Sequence, residues 1–324
     1  MRVRHPWFAA FIAILTLSFS SGCIQVPRGT GTFEKTLTVT GPLSLELQNG
    51  SGDVQIANGP AGQVRIHGEF EVFAAPWATT SRTIEEIQNS PPIEQQGNFI
   101  RIGRERDRWR NYRVNYTIVV PADTELRAST GSGNLTVRGL KGPVRLSTGS
   151  GDILGEEIGG DAEARAGSGD IHIRDVEGEV DADTGSGDIQ LEAVAKDIRV
   201  GTGSGEVRVA RPGGSVQAST GSGDIDVRDI HGDLMVKTAS GSLTAEGNPA
   251  ARAFWELRTT SGDIRLTVPS GASFTFVAHT NADNIETAIP MEITERGRRE
   301  LRGRVGKGDA RIVVETSSGT VTVR

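Results

Sequence analysis

Seven Ser-Gly dipeptides, beginning at Ser132, Ser150, Ser168, Ser186, Ser204, Ser222 and Ser240, follow one another at intervals of 18 residues. A fixed interval without gaps means one small supersecondary unit copied many times, and a unit of that size cannot bury its apolar face alone. Two residues after each serine comes Asn134, Asp152, Asp170, Asp188, Glu206, Asp224 or Ser242, and then an apolar residue: Leu135, Ile153, Ile171, Ile189, Val207, Ile225 or Leu243. Two further on stand Val137, Gly155, Ile173, Leu191, Val209, Val227 and Ala245. Nine residues after the first apolar column lies another, Val144, Ala162, Val180, Ile198, Val216 and Leu234, with alternate partners Leu146, Ala164, Ala182, Val200, Ala218 and Val236. Alternation with period two in each half predicts two short half-buried strands per unit. Glycines such as Gly169 and Gly178 mark the corners between them.

Stacked coils bury what single units cannot, because each column becomes a ladder of like side chains about 4.8 Å apart. The outward column Arg138, Glu156, Arg174, Glu192, Ala210, Arg228, Glu246 supports stacking: charges alternate in sign wherever adjacent rungs are both charged. Propeller blades need about 40 residues and leucine-rich repeats a different spacing. A sandwich would not hold its loop lengths fixed. The predicted fold is therefore all-β, a single-domain β-solenoid of parallel stacked 18-residue coils with irregular β caps at both ends.

Residues 33–130 are read as an N-terminal cap with variant coils, 131–258 as the regular array, and 259–324 as C-terminal variant coils and cap. Ser51-Gly52-Asp53-Val54-Gln55-Ile56 looks like an isolated coil, and Ser-Gly recurs off-period at Ser261 and Ser318. Thr80 to Gln88 is predicted to be a short helix ending before Pro91-Pro92. Ile118-Val119-Val120-Pro121 and Leu266-Thr267-Val268-Pro269 are similar variant coils bracketing the array. Bulky residues gather towards the ends: Trp77, Trp109, Trp255, Phe274 and Phe276. Open sheet edges there need covering.

Residues 1–22 read as an export signal: Arg2 and Arg4, an apolar run from Trp7 to Phe19, then Ser20-Ser21-Gly22. The run is too short for a comfortable membrane span. Together with Cys23, the chain's one cysteine, it resembles a bacterial lipoprotein signal, although Ser20 stands where leucine is usual. That resemblance implies acylation of Cys23, a tether over 23–32, and export to the cell envelope with lipid anchoring at the outer membrane.

Repeated Gly-Ser-Gly-Asp-Ile units behind such a signal, the Val-Pro coils and the closing Thr316-Ser317-Ser318-Gly319-Thr320-Val321-Thr322-Val323 resemble a bacterial family of putative adhesins, a domain of unknown function. The resemblance covers roughly residues 33–324 and is specific for fold. It brings no catalytic or ligand residues with it.

Asp152, Asp170, Asp188 and Asp224, with Glu206, invite calcium, since repeat-in-toxin solenoids also bind it in 18-residue turns. Their G-G-x-G-x-D pattern is absent, and aspartates at corners ordinarily hold backbone amides. Carboxylates that recur in nearly every coil argue against a polysaccharide-acting enzyme, whose site would break the pattern once. His5, His67, His172, His231 and His279 are scattered, with no Ser–His–acid grouping. Gly303 to Gly308 lacks the ending of a phosphate loop. No cofactor and no catalytic residue is expected. The formal charge of −6 excludes a general nucleic-acid binder. Arginines form the one oddity: Arg101, Arg104, Arg106, Arg108, Arg110 and Arg113, and a second group, Arg296, Arg298, Arg299, Arg302, Arg304 with Lys307. Both are read first as solvated hairpins paired with nearby glutamates and aspartates. Otherwise Arg104, Arg106, Arg108, Arg110, Arg298, Arg299 and Arg302 offer a basic patch for an anionic ligand. The expectation is a non-catalytic envelope lipoprotein acting as adhesin or scaffold through its solenoid faces, in contact with the membrane through its anchor and with envelope glycan or protein partners. The alternative is an envelope-sensing accessory protein that binds through the arginines.

Overall fold

The structure is a computed structural model that describes residues 28–73, 80–103, 112–282 and 285–324. The export signal, Cys23, Trp77, Trp109, Arg104, Arg106, Arg108 and Arg110 lie outside those residues. Among the described residues the strands form two sheets, of 14 and 15 strands. Each regular coil gives one strand to each sheet. Ile171–Val176 of the first sheet pairs in parallel with Ile153–Ile158 on one side and Ile189–Val194 on the other, so Ile171 lies beside Ile153 and Ile189. Ala162–Ser168 of the second sheet sits likewise between Val144–Ser150 and Val180–Ser186. The β-solenoid expected from the 18-residue interval is the observed fold.

The core runs between the sheets as ladders. Ile153, Ile171, Ile189, Val207 and Ile225 are each at most 1% exposed, and the facing Val144, Ala162, Val180, Ile198 and Val216 at most 3%. Two further inward columns escape the simple alternation. One is Leu140, Ile158, Val176, Val194, Pro212 and Ile230, all buried. It lies three residues beyond its inward predecessor, and the odd step is absorbed by a residue in the left-handed region just before it: Glu157, Asp175, Ala193, Arg211 and Asp229 have φ between 52° and 59°. That twist swings the next side chain back into the core. The other column is threonine. Thr148, Thr184, Thr202, Thr220 and Thr238 are buried, and each hydroxyl donates to the carbonyl of the glycine fifteen residues earlier at 3.0–3.2 Å. Burial of these hydroxyls is tolerated because they are satisfied.

The serines that are off-period in sequence fall into period in space. Ser51 pairs with Ser132, Ser240 with Ser261, and Ser261 with Ser318. The chain reaches this arrangement by inserting one coil out of order at each end. Strands Leu43–Ser51 and Val54–Gly59 form a coil lying between residues 99–121 and residues 124–138. Strands Ala310–Ser318 and Val321–Val323 lie between residues 254–267 and residues 274–287. The Ser51 segment, isolated in sequence, is thus a full member of the stack.

The ends are covered as an open sheet requires. At the N-terminal end Arg28–Thr38 and Gln63–Phe73 add antiparallel strands outside Tyr112–Pro121. The helix Thr80–Asn89 covers this end with Ile87 buried, one residue longer than the predicted 80–88. Gln88 donates to the carbonyl of Thr32, and Gln95 to that of Thr38 at 2.9 Å, so two carbonyls of the edge strand Arg28–Thr38 are occupied. Phe33 and Phe70 stack beside the buried Tyr116, whose hydroxyl burial holds well above its usual pKa. At the far end the hairpin Glu292–Arg296 and Glu300–Val305 pairs antiparallel with Phe274–Thr280. Trp255, Phe274 and Phe276 fill the core there, at no more than 1% exposed.

One backbone site fixes the stacking. The glycine after each ladder serine, Gly133 to Gly241 in the array and then Gly262 and Gly319, has φ between 138° and 154°. A Cβ there would stand 1.9–2.2 Å from the carbonyl oxygen of a glycine in the neighbouring coil. Only glycine permits that approach. Gly169→Ala is expected to cost at least about 2 kcal/mol in denaturant unfolding. Gly50→Ala, where an added Cβ meets nothing within 4 Å, should stay within about 0.5 kcal/mol of wild type.

Candidate functional site

The aspartates of the repeat line one corner, and their geometry states their role. Asp152 Oδ1 accepts the backbone N–H of Asp170 at 2.9 Å, Asp170 that of Asp188 at 2.8 Å, Asp188 that of Glu206 at 2.8 Å, and Asp224 that of Ser242 at 2.7 Å. Each carboxylate therefore bonds the coil beyond it and not its own turn. Asn134 makes the same bond to Asp152 at 2.9 Å, so an acceptor oxygen suffices and charge is not required. The row continues through the displaced coils, from Asp53 to Asn134 and from Asp263 to Thr320. Glu206 is one methylene longer and turns its carboxylate to Arg208 instead. Among the described residues no three His, Cys, Asp or Glu side chains gather as a metal-binding group. Asp170→Ala is expected to destabilise by about 1 kcal/mol, Asp170→Asn by much less, and Glu206→Asp to stabilise by about 0.5–1 kcal/mol. Urea melts of the three variants check this ordering.

The opposite corner has a second such row, nine residues further along each coil. Asp161 accepts from the N–H of Glu179 at 3.0 Å, Asp197 from Ser215 at 2.8 Å and Asp233 from Phe254 at 2.8 Å. Beside it runs an open groove over four coils, lined by Arg145, Glu163, Asp181 and Arg199. Asp183, next along the same face, has a pKa raised first by burial and then by Asp181, against the lowering pull of Arg165 and Arg199. Because its folded-state value lies above the unfolded one, the stability it contributes is present at acid pH and lost as pH rises through that folded value. Asp183→Asn should therefore raise the melting temperature at pH 7 and leave it unchanged below about pH 3.

The outward charges pair more locally than the alternating column suggests. Arg138 and Arg174 both reach Glu156, at 2.5 and 2.9 Å, as the stacked order requires. Glu192, however, pairs with Arg211 and Arg228 with Asp226. Arg211 is one of the left-handed corner residues, and the twist there carries its side chain towards Glu192. On the other face Arg145 bridges Glu125 and Glu163, and Arg165 joins Glu163. Exposed pairs of this kind contribute about 0–1 kcal/mol each, so they organise the surface more than they hold the fold.

The described arginines of the two groups lie apart. Arg101 sits near one edge of the 15-stranded sheet, bonded to Glu46 at 3.2 Å and 5.1 Å from the Phe99 ring centre. Arg302 lies near the other edge, bonded to Glu300 and Glu295. Arg304 pairs with Glu292, and Arg298 and Arg299 lie in the same hairpin connection, Arg298 exposed. The strands of Arg101 and Arg302 are twelve positions apart in the sheet, about 58 Å at ~4.8 Å per strand. Arg101 and Arg302 therefore do not share one small ligand, while Arg104, Arg106, Arg108 and Arg110 lie outside the described residues. His172 and His279 are exposed, and His231 Nδ1 lies 3.1 Å from the carbonyl of Asn248.

The family model described as Toastrack DUF4097 matches residues 4–219 and, in a second stretch, 214–324. No curated protein matches the chain. Solved structures similar to it include a putative cell adhesion protein from Clostridium sporogenes, at 12% identity over 90% of this chain and 99% of that one with a TM-score of 0.21. A putative lipid binding protein from Parabacteroides distasonis stands at 10% identity, covering 90% and 96%, TM-score 0.32. A putative adhesin from Bacteroides fragilis stands at 11%, covering 91% and 97%, TM-score 0.32. Likenesses so remote carry nothing about what this chain binds.

Proposed function

Because this chain belongs to the Toastrack DUF4097 family, a domain of unknown function, we propose that it is a non-catalytic, lipid-anchored scaffold or adhesin of the bacterial envelope. It binds through the repeated outer faces of its solenoid. The observation that carries this reading is the direction of the stack. The first described residues, Arg28–Thr38, form the outermost strand at one end of the 14-stranded sheet. The hairpin of Arg302 closes the other end of the stack. Only four residues separate Arg28 from Cys23, a reach of about 17 Å at ~3.4 Å per residue. An acylated Cys23 would thus hold the N-terminal end at the bilayer and project the arginine hairpin away from it. No helix among the described residues is long and apolar enough to cross a membrane.

Binding by such a stack is distributed. The same outward positions recur every 18 residues, so a long partner meets many similar contacts, and several weak ones act together. The recurring carboxylates are committed to backbone amides of adjacent coils, which leaves them poorly placed for acid–base chemistry. Two measurements test the reading. Radiolabelled palmitate should enter the wild-type protein and be lost, with membrane association, in Cys23→Ser; a Cys23→Ser protein that still sediments with membranes would overturn the anchor. Crosslinking to envelope partners should map to outward positions such as His172, Gln190 and Arg199. Crosslinks confined to residues 296–304 would instead favour the sensing role of the arginine hairpin.

A further inference from the structure

The last residues of the chain occupy a place that earlier residues had to leave open. Strand Ala310–Ser318 runs parallel between Phe254–Ser261 and Phe274–Thr280, and Val321–Val323 runs between Ile264–Thr267 and Ile285–Thr287. Both flanks precede it in sequence. Without residues 310–324 each sheet would therefore carry a gap one strand wide, edged by unpaired backbone on both sides. The gap is shaped for a coil. Ile312, Val314, Val321 and Val323 are fully buried in it, the N–H of Gly262 donates to Ser318, and that of Ile264 donates to Thr320. Thr316 donates to the carbonyl of Gly262, and Asp263 accepts the N–H of Thr320 at 2.9 Å. These are the ladder contacts of the repeat, presented from the side of residues 261–264; from the other side the Thr280 hydroxyl donates to the carbonyl of Gly319 at 3.1 Å and the N–H of Ala288 to that of Val323.

Residues 310–324 are reached from the preceding hairpin through a short turn, with Gly306 and Gly308 at φ 63° and 75°, fastened by Ser273, whose hydroxyl accepts the N–H of Lys307 at 2.9 Å and donates to Asp309 at 2.9 Å. A strand on a glycine hinge, added out of order into a gap with its own recognition pattern, can leave and be replaced by an equivalent strand.

We propose that residues 310–324 form an exchangeable closing strand, and that the gap between residues 254–267 and 274–287 is a binding site for the same segment of a second copy of this chain. Copies crowded on one membrane would link by trading this strand. The occupant is specified by one edge of the gap, where Ser261, Gly262 and Asp263 stand at the ladder positions that meet Ser318, Gly319 and Thr320.

The test uses full-length chains carrying Cys23→Ser, which removes the only thiol. Arg265 and Thr322 are adjacent outward rungs in register, at a separation that a disulfide can span. One chain carries Arg265→Cys, another Thr322→Cys, and the doubly substituted chain reports the closure within one molecule. Under mild oxidation the double variant should link internally. The two single variants, mixed and warmed below the melting of the array, should shift from monomer to a covalent heterodimer. Excess synthetic peptide of residues 310–324 should suppress that dimer. Internal linking of the double variant with no heterodimer from the mixture would overturn the proposal, as would a dimer that the peptide leaves untouched. Should the first pair fail to link even internally, Glu286→Cys with Thr322→Cys probes the other side of the same strand with the same expected and contrary results.

Discussion

Every coil of this protein lies on its neighbour through parallel backbone pairing in two sheets at once, and that pairing holds the backbones so close at the corners that side chains are excluded. The glycine after each ladder serine carries the constraint: its φ is accessible to few other residues, and the carbonyl of the neighbouring coil occupies the space a Cβ would need. Aspartate and threonine complete the corner. Aspartate bonds the amide of the next coil, and threonine turns inward to satisfy a glycine carbonyl. The repeat motif is thus the chemical description of one joint. The hydrophobic ladders follow from it, because joints in register force Ile171 to lie against Ile153 and Ile189.

Much of this was legible in the sequence, for a physical reason. Translation by one coil brings residue i beside residue i+18, so three-dimensional neighbours are printed at a constant interval. The fold, the two strands per coil and the first two apolar columns came directly from that interval. What stayed hidden broke a local rule. The Leu140–Ile158–Val176 column is out of step with strand alternation because Glu157 and Asp175 adopt left-handed backbone, which propensity does not announce at Glu. Inward threonines read as polar. The insertion of residues 43–59 and 310–324 out of order had a signal after all: Ser51 and Ser318 carry the ladder motif without the ladder spacing. A motif that demands a stacked neighbour has to find one elsewhere in the chain.

The aspartates occupy one row, but each has an oxygen bonded to the next coil's backbone. Of the two arginine groups, Arg101 and Arg302 stand near opposite edges of the 15-stranded sheet. The extended faces repeat from coil to coil, whereas the two ends differ. One end is sealed by a helix, with glutamine side chains bonded to the carbonyls of its edge strand. The other is closed by the last segment of the chain.

In-register stacking is best tested by distance. Spin labels at pairs of outward positions on one face, such as Gln190 with Thr136, Asp226 with Thr136 and Thr244 with Thr136, are three, five and six rungs apart by the pairing described. Pulsed dipolar spectroscopy should return separations that rise by about 4.8 Å per rung, roughly 14, 24 and 29 Å. Separations that do not rise steadily with rung number would contradict the stack, and with it the joint from which the fold, the ends and the proposed scaffold role were argued.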